Sequence, residues 1–130
     1  MAHHWGRAVT DRPPQGFRVD GAGLRDAPGV AVHGEIDIAA VPALEEAIDA
    51  AIRDSAGAFV IDLSDVDFLD SSGLHVLLRA RSLLGREDRA LAVVCPFGPV
   101  RRVFELSGSS ELFVLYNSRE DAAAALVPPG

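Results

Sequence analysis

The chain has 130 residues, which suits one domain, and a chain of this length buries about two thirds of its unfolded surface around a single core. Its 48% hydrophobic and 24% charged residues place it with folded globular proteins and away from the disordered and membrane classes. The net charge of -7 opposes binding to a phosphate backbone, and one cysteine, Cys95, allows neither an internal disulfide nor an all-cysteine metal cage.

Residues 1–28 hold Trp5, Pro13, Pro14 and Pro28 among scattered Gly and Arg, without sustained periodicity. This predicts a flexible N-terminal segment with at most a short edge strand near Phe17 to Arg25. His3 and His4 are adjacent near the terminus, where histidines are more often solvated or tag-derived than metal-bound. The domain proper is set at 29–127, and Pro128-Pro129-Gly130 is a C-terminal tail. Apolar runs such as 90–96 fall well short of the roughly 20 residues that span a bilayer, and the N-terminus lacks a signal-like apolar core, so a cytoplasmic protein is expected.

From Val30 onward, strand and helix patterns alternate. Residues 30–33 are a short strand, and Leu44, Ala47, Ile48, Ala51 and Ile52 define one apolar helical stripe with Pro42 in the first turn. Runs at 58–61, 91–94 and 112–115 are apolar without alternation, which reads as central strands covered on both faces. A helix from Gly73 to about Gly85 turns Leu77, Ala80, Leu83 and Leu84 inward and His75, Arg79, Ser82 and Arg86 outward. Another starts at Pro99, buries Val100, Val103 and Phe104, and stops at Gly108. Ser118-Arg119-Glu120-Asp121 opens a last helix as a capping box. Such alternation implies an α/β layer fold with substantial parallel pairing.

Most catalytic patterns are missing. There is no phosphate-binding loop, nucleophile elbow or HExxH pair, and Gly21-Ala22-Gly23 lacks the flanking strand and helix of a dinucleotide site. Asp62, Asp65, Asp67 and Asp70 are not spaced as an EF-hand, and a solvated strand end explains them better than a metal site. His33 and His75 are each a conceivable base for Ser71 or Ser72, although a lone histidine in a strand or on a polar helix face is usually neither catalyst nor ligand.

The richest feature is Asp70-Ser71-Ser72-Gly73, between an apolar strand and an apolar helix. A hydroxyl of Ser71 or Ser72 is positioned to cap the helix, and the positive helix end would tolerate a phosphate there. A plain N-cap, worth about 1 kcal/mol, accounts for one serine but less well for the crowding of two serines, Asp and Gly in one turn.

Gly34-Glu35-Ile36-Asp37, an amphipathic helix, Phe59-Val60-Ile61-Asp62-Leu63, Phe68-Leu69-Asp70-Ser71-Ser72-Gly73-Leu74 and Pro99-Val100-Arg101-Arg102-Val103-Phe104 with Ser107-Gly108 occur in this order. Together they resemble a bacterial STAS domain of the anti-sigma factor antagonist family, from about residue 30 to 126. The resemblance implies a single STAS domain, with a mixed, largely parallel β-sheet of four to five strands and about four helices. It implies a regulatory binding protein, not an enzyme, with no cofactor and no metal.

By motif position, Ser71 is the phosphoacceptor, and Asp37, Asp70, Ser71, Ser72, Gly73 and His75 face the partner. The unphosphorylated form would bind an anti-sigma factor that is a GHKL-type serine kinase and so free a sigma factor, while a PP2C-type phosphatase would restore that form. Neither nucleic acid nor membrane is an expected partner. The family commonly carries Thr or Ser after Glu-x-Asp to cap the first helix, whereas this chain has Ala39, Ala40 and Val41, a loss of about 1 kcal/mol. Two other classes stay open at this point: a constitutive STAS adaptor whose serines only cap the helix, and, ranked last, a small hydrolase using Ser71 or Ser72.

Overall fold

Alternating strands and amphipathic helices assemble into one mixed sheet, seen in a computed structural model that describes residues 16–21 and 27–126. The paired histidines and the tail 128–130 lie outside the described residues, as does most of the segment expected to be flexible. Strands β1 (Arg18–Gly21), β2 (Gly29–Ile36), β3 (Phe59–Leu69), β4 (Leu91–Val94) and β5 (Val114–Tyr116) lie side by side in chain order. β1 is antiparallel to β2, and the other neighbours are parallel. Each parallel step needs a crossover, supplied in turn by α1 (Val41–Arg53), α2 (Ser71–Gly85) and α3 (Pro99–Leu106); α4 (Arg119–Leu126) follows β5.

Crossovers of one hand between successive strands place α1, α2 and α3 on the same face of the sheet. There Leu44, Ile48 and Ile52 of α1, Leu77, Ala80 and Leu84 of α2, and Val100 and Phe104 of α3 meet Val32, Ile36, Phe59, Ile61 and Leu63 in the main core. Phe17, just before β1, is buried in the same core. On the other face α4 covers only part of the sheet, packing Ala122 with Val60, Ala92 and Val94. Phe59, Val60 and Ile61 are therefore buried on both faces, which is why the run ending at Ile61 reads as apolar without alternation. Cys95 is buried, and burial pushes its thiol up to about 11, so it packs as a small hydrophobe and not as a nucleophile.

Three features differ from the reading of the sequence. β3 does not end near Ile61 but runs to Leu69, because β2 keeps pairing with it through two register shifts that re-phase the alternation. Val66 and Leu69 then point inward while Asp65, Asp67 and Phe68 point out. Second, Asp62 is not a solvated strand-end carboxylate: it is 7% exposed and held by the Arg119 guanidinium at 2.8 Å and the Ser64 hydroxyl and N–H at 2.6 and 2.9 Å. Third, the 112–115 run is not a central strand. β5 is a three-residue edge, preceded by a 3-10 turn (Ser109–Glu111), with Leu112 and Val114 exposed.

The last helix begins as its sequence suggested, with the Ser118 hydroxyl accepting the Asp121 N–H at 3.0 Å. Its Arg119 ties α4 to β3 through Asp62. Burial opposes ionisation of Asp62, but the bonds from Ser64 and Arg119 outweigh it and hold the carboxyl below its ordinary value. A carboxylate depressed in the folded state stabilises the fold above its unfolded pKa and loses that contribution as pH falls through its folded pKa. Thermal unfolding of the wild type should thus shift to lower temperature from about pH 5 downward, and Asp62→Asn should flatten that slope while costing about 1–3 kcal/mol at neutral pH in urea titrations.

Candidate functional site

The C-terminal ends of β2 and β3 carry the site. Their register pairs Ile36 with Leu69, and the Asp70 N–H donates to the Ile36 carbonyl at 3.2 Å, so Asp37 and Asp70 emerge from neighbouring strand ends. Both are extended, with φ/ψ of -120/-173 and -106/-175, and both turn a carboxylate back onto the first N–H groups that follow. Asp37 Oδ1 accepts from Ala39 and Ala40 at 3.0 and 3.3 Å, and Asp70 Oδ1 accepts from Ser72 and Gly73 at 3.0 and 3.1 Å. Asp37 thereby caps the 3-10 turn (Ile38–Ala40) that leads into α1. The N-cap of α1 itself is Ala40, which makes no side-chain cap hydrogen bond, so the cap expected to be missing at Ala39, Ala40 and Val41 is indeed missing from the α-helix, and the Asp37 carboxylate closes only the turn before it.

The expectation that a serine hydroxyl caps α2 is corrected by Asp70. Its carboxylate is the cap, and Ser71 and Ser72 are the first two helical residues. The two serines are not equivalent. Ser72 donates its hydroxyl to Asp70 Oδ1 at 2.6 Å, whereas Ser71 is exposed and its hydroxyl makes no hydrogen bond among the described residues. The Ser72 hydroxyl and the Gly73 and Ser72 N–H groups hold the Asp70 carboxyl below its ordinary value, against a smaller desolvation penalty. The turn thus presents one free hydroxyl beside a fixed anion.

Gly73 has a packing reason. A Cβ there would lie 2.5 Å from Ile36 Cγ2 and 2.6 Å from Leu69 Cδ1, so only glycine lets the first turn of α2 rest on the two strand ends. Of the residues expected from sequence to face a partner, Gly73 is the one that is buried, beneath the turn. His75 is exposed four residues after Ser71, on the same helix face. One turn further, Arg79 is held bidentately by Asp49 of α1 at 2.8 and 2.9 Å.

His33 is directed elsewhere. Its Nδ1 lies 3.1 Å from Asp65 and its Nε2 3.1 Å from Asp20, the latter within charge range but out of line for a hydrogen bond, so neither nitrogen addresses a serine. Among the described residues no group of three or more His, Cys, Asp or Glu could hold a metal ion. Sequence reading missed the exposure of three apolar side chains: Ile38 and Phe68 beside these strand ends, and Phe97 after β4, with Ile38 and Phe97 each 75% exposed. Ile38 falls outside both the strand run and the helical stripe, which was the available clue.

Comparison with known proteins points one way. Residues 24–122 match the family model described as STAS domain. The anti-sigma-F factor antagonist RsfB of Mycobacterium tuberculosis is 40% identical over 102 residues, covering 76% of this chain and 83% of that protein. The crystal structure of an anti-sigma factor antagonist from Mycobacterium paratuberculosis aligns with a TM-score of 0.79 at 39% identity, over 87% of this chain and 96% of that one. SpoIIAA, solved in unphosphorylated and phosphorylated forms, aligns at TM-scores of 0.65 and 0.62 over 86% and 85% of this chain and 99% of its own, and at 23% and 22% identity shares the fold.

Alanine is the better helix former by about 1 kcal/mol, so an ordinary exposed helical glycine would gain from substitution. Gly73→Ala should instead lose at least about 2 kcal/mol in urea unfolding, because Ile36 and Leu69 are buried and cannot yield without moving the strand ends. Asp70→Ala should cost about 1 kcal/mol in the same measurement, as the loss of one cap.

Proposed function

The chain belongs to the STAS domain family, and on that premise we propose that it is an anti-sigma factor antagonist controlled by phosphorylation at Ser71. In its unphosphorylated form it binds an anti-sigma factor that is itself a GHKL-type serine kinase, and a sigma factor is released. The kinase moves the γ-phosphoryl group of ATP onto Ser71 Oγ, ADP leaves, and the hydroxyl proton passes to a base on the kinase. The modified antagonist lets go, and a PP2C-type phosphatase hydrolyses the ester to restore it. The proposed setting is the cytoplasm, and no helix among the described residues is long and apolar enough to cross a membrane.

The observation that carries this reading is the asymmetry of the two serines. Ser72 spends its hydroxyl on Asp70, while Ser71 stands exposed at the first position of α2 with its hydroxyl uncommitted. A phosphate adds about -1.5 to -2 charge. At Ser71 it could not settle onto the Ser72 and Gly73 N–H groups, because Asp70 already holds both. The dianion would stay directed outward beside a second anion, where docking must desolvate it against that neighbour. Taking a mostly bound population to a mostly free one needs about 5.5 kcal/mol at the extreme, within reach of a dianion buried at an interface. Asp37, Asp70, Ser72 and His75 complete the proposed partner-facing set.

Incubation with ATP and the cognate anti-sigma kinase should label the wild type and Ser72→Ala but not Ser71→Ala. Ser71→Asp should lower affinity for that kinase at least about tenfold in calorimetric titration. Labelling of Ser71→Ala would remove the assignment, and unchanged binding of Ser71→Asp would favour a constitutive adaptor.

A further inference from the structure

A phosphate on Ser71 would need donors, and the fold leaves few within reach. The backbone N–H groups of Ser72 and Gly73 bond to Asp70 Oδ1, and that of Leu74 bonds to the Asp70 carbonyl at 3.0 Å. The side chains just before the serine offer no positive charge, because residues 67–70 are Asp, Phe, Leu and Asp. The counter-charge has to come from further along the helix.

Within the next turn, residues 72–75, His75 is the only side chain that can carry positive charge. It is exposed, as Ser71 is, and makes no hydrogen bond or ion pair among the described residues. Both residues lie inside α2 four positions apart, so their Cβ atoms are about 6 Å from each other on one face, with the anion N-terminal to the cation in the favoured order. Helical side chains lean toward the N-terminus, which carries the His75 ring back over Ser71. The next cation on this face, Arg79, is already held by Asp49 of α1 at 2.8 and 2.9 Å, with Glu45 of the same helix 4.0 Å away. The charged groups around the pair are thus Asp70 at the helix start, Asp37 at the neighbouring strand end, Glu45 and Asp49 on α1, and the committed Arg79. All but Arg79 are carboxylates, which leaves His75 to offset an added dianion.

We propose that His75 is the built-in counter-ion of a phosphate on Ser71, pairing with it along α2 when the imidazole is protonated. This rests on the reading of Ser71 as phosphoacceptor and extends it to how the modified turn responds to pH. Imidazoles take up their proton between about pH 5 and 8, and a phosphate monoester loses its second proton near about pH 6, so the two ionisations fall in one window. At its acid end the imidazolium offsets about one unit of the phosphate charge, and at its alkaline end the full dianion stands beside Asp70. The charge that the modified turn presents to a partner is therefore graded by pH.

The test installs phosphoserine at position 71 of the full chain by genetic encoding and follows the phosphorus resonance from about pH 4.5 to 8.5 in the wild type, His75→Gln and His75→Lys. Both substitutions lie on an exposed face and should leave the circular dichroism spectrum unchanged. The phosphate should lose its second proton about 0.3 pH unit lower in the wild type than in His75→Gln, the size of an exposed i, i+4 ion pair. His75→Lys, charged throughout this range, should match or exceed that shift, and about 1 M salt should abolish it. Equal midpoints in the wild type and His75→Gln, or His75→Lys behaving as His75→Gln does, overturn the pairing and leave Ser71 as the proposed phosphoacceptor. Labelling by the cognate kinase decides that reading separately: if Ser71 takes no label, the antagonist reading falls and the pairing loses its role with it.

Discussion

One carboxylate oxygen sets the geometry on which the site depends. Oδ1 of Asp70 accepts the Ser72 N–H, the Gly73 N–H and the Ser72 hydroxyl, while the backbone N–H of Asp70 is given to Ile36 on the neighbouring strand. These four bonds fix where β3 stops, where α2 starts and which serine is presented. An anion suits the place, because the unpaired N–H groups of a helix start carry partial positive charge. Its occupation of those groups also means that a phosphate on Ser71 would find no backbone donors waiting at Ser72 and Gly73.

The same device occurs at the end of the adjacent strand, where Asp37 turns the chain from β2 toward α1. Two parallel strands in matched register, each closed by an aspartate, bring two strand-to-helix turns to one edge. Gly73 then lets α2 approach closely enough for Ile36 and Leu69 to pack beneath its first turn. The rigidity of the site therefore comes from its floor, an apolar contact, and from its rim, a set of short hydrogen bonds.

Much of this was legible in the sequence, and the failures have definite causes. The alternation of apolar runs with helical stripes revealed the layers, and Asp-Ser-Ser-Gly between a strand and a helix marked the turn. The extension of β3 was hidden because register shifts against β2 reset the side-chain phase. Asp62 read as solvated because its partner Arg119 lies 57 positions away, and sequence spacing says nothing of such a pair. Motif position chose Ser71 over Ser72, but as caps the two were indistinguishable because the capping role went to the preceding aspartate, which left one hydroxyl bonded and the other not. Ile38 and Phe97 were passed over because an apolar residue is assumed to be inside, and the only local sign against it was the place of Ile38 outside both strand run and helical stripe.

Strand order that follows chain order bears on how the molecule comes into being. Every strand pairs with the one made just before it, so the sheet can grow from its first edge while the polypeptide is still being synthesised. The pieces of the candidate site, the ends of β2 and β3 and the start of α2, are complete once Gly85 has emerged. What comes later is the latch across the back, where Arg119 reaches Asp62 from the last helix. A nascent chain can hold its Asp-Ser-Ser-Gly turn in shape before the fold that stabilises it is closed.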